Sequence, residues 1–200
     1  MKYLIIPLFF MFSCSSAKHE EIKVIKSTET FTSTQKYQIF CWVIKKHEGY
    51  RQNSYRCQAG KKTNGWGFTN VKSVKDIHHA DEIFKSIVNP LFDEVTRNYP
   101  ELDYLQRAVI TSLYYNTGSL KNIKESSFSK SLKNNDIRNA VKSFKSWSKI
   151  RVRKGKFIVS KGLLKRRSYE SKLLDGSFNM ADYNQLKNEV QNIYKQYGRN

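Results

Sequence analysis

The stretch that decides the reading runs Lys46-His47-Glu48-Gly49-Tyr50-Arg51, then Tyr55-Arg56-Cys57-Gln58-Ala59-Gly60, then Thr63-Asn64-Gly65-Trp66-Gly67-Phe68-Thr69. Just upstream, Tyr37, Phe40, Cys41 and Ile44 are spaced i, i+3, i+4, i+7, which predicts a helix starting near residue 35. Ser33 or Thr34 offers a cap at its start and Gly49 ends it. Between residues 50 and 70 the helical period is lost. Asn53, Gly60, Gly65 and Gly67 stand among aromatic and Thr positions, as in a small, turn-rich β region. Glu48 therefore stands at the hinge between a core helix and a sheet. Partial desolvation of a carboxyl favours its protonated form, the form a general acid uses. A short hairpin brings Cys57 and Thr63 towards that acid. Spacing alone equally fits a helix-end Glu paired with Lys or Arg, a core Cys and a strand Thr.

Working outward, helical spacing predicts further elements. Ile83, Ile87, Leu91 and Val95 mark one helix, kinked or split by Pro90 and stopped before Pro100. Leu102, Leu105, Val109 and Leu113 mark a second; Ile137, Ala140, Val141 and Phe144 a third, capped by Asp136. Leu163 to Leu174 forms a fourth, and Tyr183, Leu186, Val190, Ile193, Tyr194 and Tyr197 a last one. One helix, a small sheet and then a helical lobe make an α+β plan without internal repeats.

The 200 residues allow one ordinary domain with short appendages, and 39% apolar content supports a packed core. Few Gly and Pro exclude collagen-like or low-complexity chains. A net charge of +19 predicts an anionic partner: nucleic acid, a lipid surface or an acidic polymer. The three Cys, 14, 41 and 57, provide no disulfide framework, and Cys41 on an apolar helix face reads as a core thiol. The four His have no metal-ligand spacing with Cys, so no metal or cofactor is expected.

Met1-Lys2, the apolar run Tyr3 to Phe12 and the small residues Ser13 to Ala17 have the layout of a secretory signal. The run is far short of the about 20 apolar residues a spanning helix needs. Cleavage after Ala17 competes with a lipoprotein route, in which Met11-Phe12-Ser13-Cys14 serves as the processing box and lipidated Cys14 attaches the chain to a membrane. Residues 18–34, rich in Ser, Thr and Lys, read as a tether. They are followed by a folded domain over 35–176 and a helical extension over 177–200.

The quoted stretch resembles the active-site region of phage-type lysozymes, the endolysin muramidases of glycoside hydrolase family 24. Their pattern of Glu, eight residues, Asp or Cys, five residues, Thr is met by Glu48, Cys57 and Thr63. Tyr114-Tyr115-Asn116-Thr117-Gly118 matches an aromatic-rich segment ending Asn-x-Gly. Ser126-Ser127 with Leu132 to Asp136, then Trp147, Gly162-Leu163, Arg166-Arg167 and Glu170, match the later motifs. The likeness covers roughly residues 36–176. Asn64 and Phe68 depart from the usual Ile and His of the family, and Cys57 replaces its commoner Asp.

The resemblance implies a lysozyme-like fold, a small β region and a mainly helical lobe with a cleft between them. It implies a monomer acting on peptidoglycan at the β-1,4 link between N-acetylmuramic acid and N-acetylglucosamine. Glu48 would be the general acid, with Cys57 and Thr63 completing the catalytic set and Asn116, Gly118 and Arg166 contacting substrate. Cys57 has three open roles: base, water-positioner with Thr63, or nucleophile. A disulfide from Cys57 to Cys41 or Cys14 would make the site redox-sensitive. The basic run from Lys142 to Arg167 suits an anionic wall polymer, although Arg166 and Arg167 can simply pair with Glu170 along a helix. Two other readings compete: a wall-binding protein that has lost turnover through Cys57, and a nucleic-acid binder. The second lacks any recognisable binding motif, so no specific nucleic-acid partner is expected.

Overall fold

The computed structural model describes residues 30–56, 60–151 and 156–198. Helix α1 (Ser33–Glu48) leads into an antiparallel hairpin of β1 (Arg51–Arg56) and β2 (Lys62–Gly65). Six helices follow, α2 (Ile77–Asn98), α3 (Tyr104–Thr117), α4 (Leu120–Glu125), α5 (Ser127–Lys133), α6 (Ile137–Phe144) and, after a 3-10 turn and a second hairpin, α7 (Lys161–Leu174). That hairpin pairs β3 (Lys149–Arg151) with β4 (Phe157–Val159). Helix α8 (Met180–Tyr197) closes the fold. The expected α+β plan, a small sheet and a larger helical body, is what the chain adopts.

Helix α1 is the hub. Its Phe40, Cys41 and Ile44 enter one core, with Tyr50, Trp66, Phe68, Phe84 and Val88. Its Ile39 and Val43 enter a second, with Val109, Leu113, Phe128, Phe144, Leu174 and Leu186. The stripe seen in sequence is therefore one of two apolar faces, and burial on both sides fixes α1 between the sheet region and the helical lobe. Tyr37, at the first position of that stripe, is the exposed edge of it.

Three boundaries differ from expectation. The cap of α1 is Thr32, not Ser33 or Thr34: its hydroxyl accepts from the Gln35 amide while the Gln35 side chain accepts from the Thr32 amide. The tether does not extend to residue 34 either, because Phe31 is buried against Phe178 and Tyr183. Helix α2 continues through Pro90, held by fully buried Val88 and Val95 on either side of it. Its most buried face is Ile77, Ala80, Phe84 and Val88, one position on from the predicted Ile83 and Ile87, which are only partly buried.

The extension beyond residue 177 is a structural wall. Tyr183, Leu186 and Val190 of α8 are buried, Lys46 pairs with Glu189 at 2.6 Å, and Tyr183 donates to Gln38 Oε1 at 2.6 Å. Asp81 lies beneath this contact. It accepts from Lys45 Nζ at 2.7 Å and from Trp66 Nε1 at 2.8 Å, and takes the Tyr194 hydroxyl as well. The Lys45 ammonium is 5.0–5.5 Å from the ring centres of Phe84, Trp66 and Tyr194, an arrangement that favours the cation. One partly buried ion pair thereby ties α1, α2, α8 and the turn after β2 together. Leu186→Ala should lower stability by about 2–5 kcal/mol, measured as a drop in the urea midpoint; a detachable extension would leave that midpoint unchanged.

Candidate active site

Glu48 is the last residue of α1, and Gly49 caps the helix with φ 65°, a left-handed backbone that suits glycine. The Glu48 carboxylate is anchored on one side: Arg166 Nη1 donates to Oε1 at 2.6 Å. Its side chain is 19% exposed, so solvent reaches it. On the other side stands Gly67, with φ 88°. A Cβ at position 67 would lie 2.6 Å from Glu48 Oε2, so only glycine leaves room beside that oxygen.

The turn carrying Gly67 is tight and internally bonded. Asn64 N donates to Phe68 O at 3.1 Å, and Asn64 O accepts from the amides of Gly67 and Phe68. Asn64 is buried and its Nδ2 donates to Val71 O at 3.0 Å. Phe68 is buried against the position of Gly65. The two departures from the family pattern thus act inside the turn, holding it closed. Tyr115 of α3 donates to Trp66 O at 2.7 Å and joins the turn to the helical lobe.

Behind Glu48 is a buried charge cluster on α7. Arg166 Nε donates to Glu170 Oε1 at 3.1 Å, and Arg167 Nη1 pairs with Glu170 Oε2. Ser112 Oγ donates to Glu170 Oε1 at 2.5 Å, and Arg166 Nη2 reaches Ser112 O and Oγ. Burial opposes the Glu170 charge, but Arg167 and Arg166 outweigh it and hold the carboxyl below its ordinary value. Burial likewise opposes the Arg166 charge, yet Glu170 and Glu48 hold it above its ordinary value. Two guanidinium groups face two carboxylates, and Glu48 is the outermost of the four.

The sequence-named residues fall into three groups. Glu48 and Arg166 are brought together, but Arg166 is 3% exposed and its bonds go to protein groups, so its place is behind the acid, orienting it. Thr63 is buried in β2, opposite Tyr55, with its hydroxyl donating to Lys61 O at 3.1 Å. Asn116 is exposed and its Oδ1 accepts from Arg167 Nη2 at 2.7 Å, while Gly118 caps α3 with φ 75°. Cys57 lies outside the described residues, as does Cys14. Cys41 is buried and burial raises its thiol to about 11, which makes it a poor partner for thiol exchange. Among the described residues no group of His, Cys, Asp and Glu could hold a metal. Concavities of about 460 and 310 Å³ lie elsewhere, the larger between α2 and α4 at Glu94, Asn98 and Lys124.

Ser112, Gly67 and Tyr115 were missed as site residues. Ser112 did leave a trace, a polar position inside the apolar run of α3. Gly67 and Tyr115 acquire their roles only through contacts across the fold.

This is the geometry of a lysozyme: an acid at the end of the first helix, a glycine turn from a small sheet against it, and a buried arginine from a late helix behind it. The phage lysozyme family profile matches residues 45–170, and the chain belongs to that family. An endolysin of Acyrthosiphon pisum secondary endosymbiont phage 1 is 30% identical over 139 residues, 68% of this chain and 94% of that protein. Among solved structures, the endolysin from Escherichia coli O157:H7 phage FAHEc1 superposes with a TM-score of 0.59 at 20% identity, covering 74% of this chain and 95% of its own. The muramidase domain of SpmX from Asticaccaulis excentricus gives 0.57 at 19% identity, covering 73% and 97%. The lysozyme-like fold expected from the motifs is therefore the fold observed.

Glu170→Gln should destabilise the protein by about 3–5 kcal/mol, because it leaves two buried guanidinium groups short of their counter-charge; denaturant unfolding measures it. A second outcome concerns pH. Burial lowers the His47 imidazole to about 4, against the opposing pull of Glu170 and in concert with Arg166, Lys46 and Arg167. The unfolded chain takes up this proton near the ordinary 6.5 and the folded chain only near 4. The stability it contributes is full above pH 6.5 and is lost as pH falls towards 4. Glu170, held low, adds its own loss only below 4.5. As pH is lowered from 6.5 to 4, unfolding midpoints should fall in the native protein and change less in His47→Phe.

Proposed function

We propose that this protein is a peptidoglycan hydrolase, an N-acetylmuramidase that cuts the β-1,4 bond between N-acetylmuramic acid and N-acetylglucosamine. The observation that carries the proposal is the Glu48 carboxyl, held by Arg166 on one oxygen and facing Gly67 with the other, in a chain of the phage lysozyme family. Glu48 donates a proton to the leaving glycosidic oxygen as the C–O bond breaks. Water adds to the anomeric carbon from the opposite face, and the product inverts. Cys57, as its thiolate, takes the proton of that water, and the Thr63 hydroxyl on β2 helps to position it. Arg166 orients Glu48, while Asn116 and Gly118 border the bound glycan. The cleft for the glycan runs between the β1–β2 hairpin and the helical lobe.

The relatives named endolysin support action on a cell wall, and no observation favours a catalytically silent wall binder. For location, residues 1–17 serve as an export signal, with lipidation of Cys14 as an alternative to cleavage after Ala17; both lie outside the described residues. Among the described residues no helix is long and apolar enough to cross a membrane. The chain works as a monomer.

Glu48→Gln should lower release of muramic-acid reducing ends from purified cell wall by a factor of about 100 or more, with an unchanged circular dichroism spectrum. Cys57→Asp should retain turnover and Cys57→Ser should lose most of it. Full activity in Glu48→Gln would end the assignment.

A further inference from the structure

The second hairpin has no role in the chemistry above, and it carries most of the large apolar side chains that are exposed among the described residues. Its β4 strand exposes three consecutive apolar side chains: Phe157 at 66%, Ile158 at 49% and Val159 at 53%. Successive side chains of a strand point to opposite faces, so both faces of this hairpin present apolar groups to solvent. Across the ladder Ile150 stands opposite Ile158 and adds to the apolar surface, while Lys149 stands opposite Val159 and brings charge beside it. Leu164 of α7, at 40%, is a further exposed apolar residue one turn beyond the hairpin base.

Positive charge surrounds this strand. Lys149, Lys156, Lys161 and Lys165 are all exposed, and the chain carries neither Asp nor Glu anywhere between Asp136 and Glu170. The base is fixed. Ser160 N donates to Ser148 O at 2.9 Å, buried Ser148 anchors the 3-10 turn, and Ser160 Oγ caps α7 by accepting from Leu163 N. Strand β4 is thus an exposed apolar strand with a cationic collar on a fixed base.

We propose that strand β4, with the lysines around it, is a docking element for an anionic lipid surface. The headgroup boundary of a bilayer accepts both parts at once: the apolar side chains enter the acyl edge while the lysines meet lipid phosphates. A second copy of the chain does not fit, since it would bring the same cationic collar and a further +19 against the first. An anionic wall polymer satisfies the lysines but offers no apolar layer for Phe157, Ile158 and Val159. The docking would place α7, and with it Arg166, at a fixed height beside the membrane-proximal wall, and it is independent of the Glu48 chemistry.

The test uses the full chain. Phe157→Trp is mixed with phosphatidylcholine vesicles with and without phosphatidylglycerol, some carrying brominated acyl chains. Its fluorescence is compared with that of the parent protein. The expected result is a blue shift and bromine quenching that appear only with the anionic vesicles and fade on adding salt. An extra tryptophan that stays unquenched while the protein sediments with those vesicles overturns the proposal, because some other segment then does the binding. In parallel, Phe157→Ser/Ile158→Thr/Val159→Thr should bind anionic vesicles roughly tenfold or more weakly while digesting isolated cell wall at the parent rate. Undiminished vesicle binding in this variant also overturns it. So does binding to soluble polyglycerol phosphate that drops equally in the variant, which assigns the surface to a wall polymer.

Discussion

Two carboxylates against two guanidinium groups, packed where water is nearly excluded, are the constraint on which the rest of this structure depends. Glu170 is fully buried and holds both Arg166 and Arg167. Of the two remaining Arg166 nitrogens, Nη2 reaches Ser112 and Nη1 holds Glu48. Charges buried in this way are tolerated only when each is paired and hydrogen-bonded, and Ser112 supplies further partners. The position of the acid is therefore set from behind by a cluster that has one low-energy arrangement.

The same logic runs through a second, partly buried ion pair. Lys45 and Asp81 bring α1, α2 and α8 to the indole of Trp66, which in turn holds the glycine turn. Glu48 is held from the helical side by Arg166, and the turn that bears Gly67 is held from the sheet side by Trp66 and Tyr115. The acid sits where these two sets of fixed contacts meet, which is how a side chain near the middle of the molecule stays partly open to solvent without losing its orientation.

Placing the charges inside leaves a surface dominated by lysine. The acid-free stretch between Asp136 and Glu170 ends in the cluster itself, so one region both positions the site and carries the cationic hairpin. Attraction to anionic surroundings and the orientation of Glu48 are in this way built on consecutive parts of one chain segment.

Much of this was legible in the sequence. The helices α1, α3, α6 and α8 could be read from their apolar stripes, whereas α7, whose buried face carries Arg166, Arg167 and Glu170, was read from its leucines and family motif; Glu48, Cys57 and Thr63 stood out through family spacing. Helices α4 and α5 could not, being too short to display a period and defined mainly by their serine caps. The β3–β4 hairpin was hidden within a run read only for its charge. The sequence by itself determined the fold class, the family motifs and the hinge position of Glu48, since these depend on local periodicity and order along the chain. Only the tertiary structure decided that buried Arg166 meets the Glu48 carboxylate, that Gly67 leaves space at Oε2, and that α8 belongs to the core. Those are contacts between residues 19 to 149 positions apart, and no local pattern encodes which buried charge will meet which.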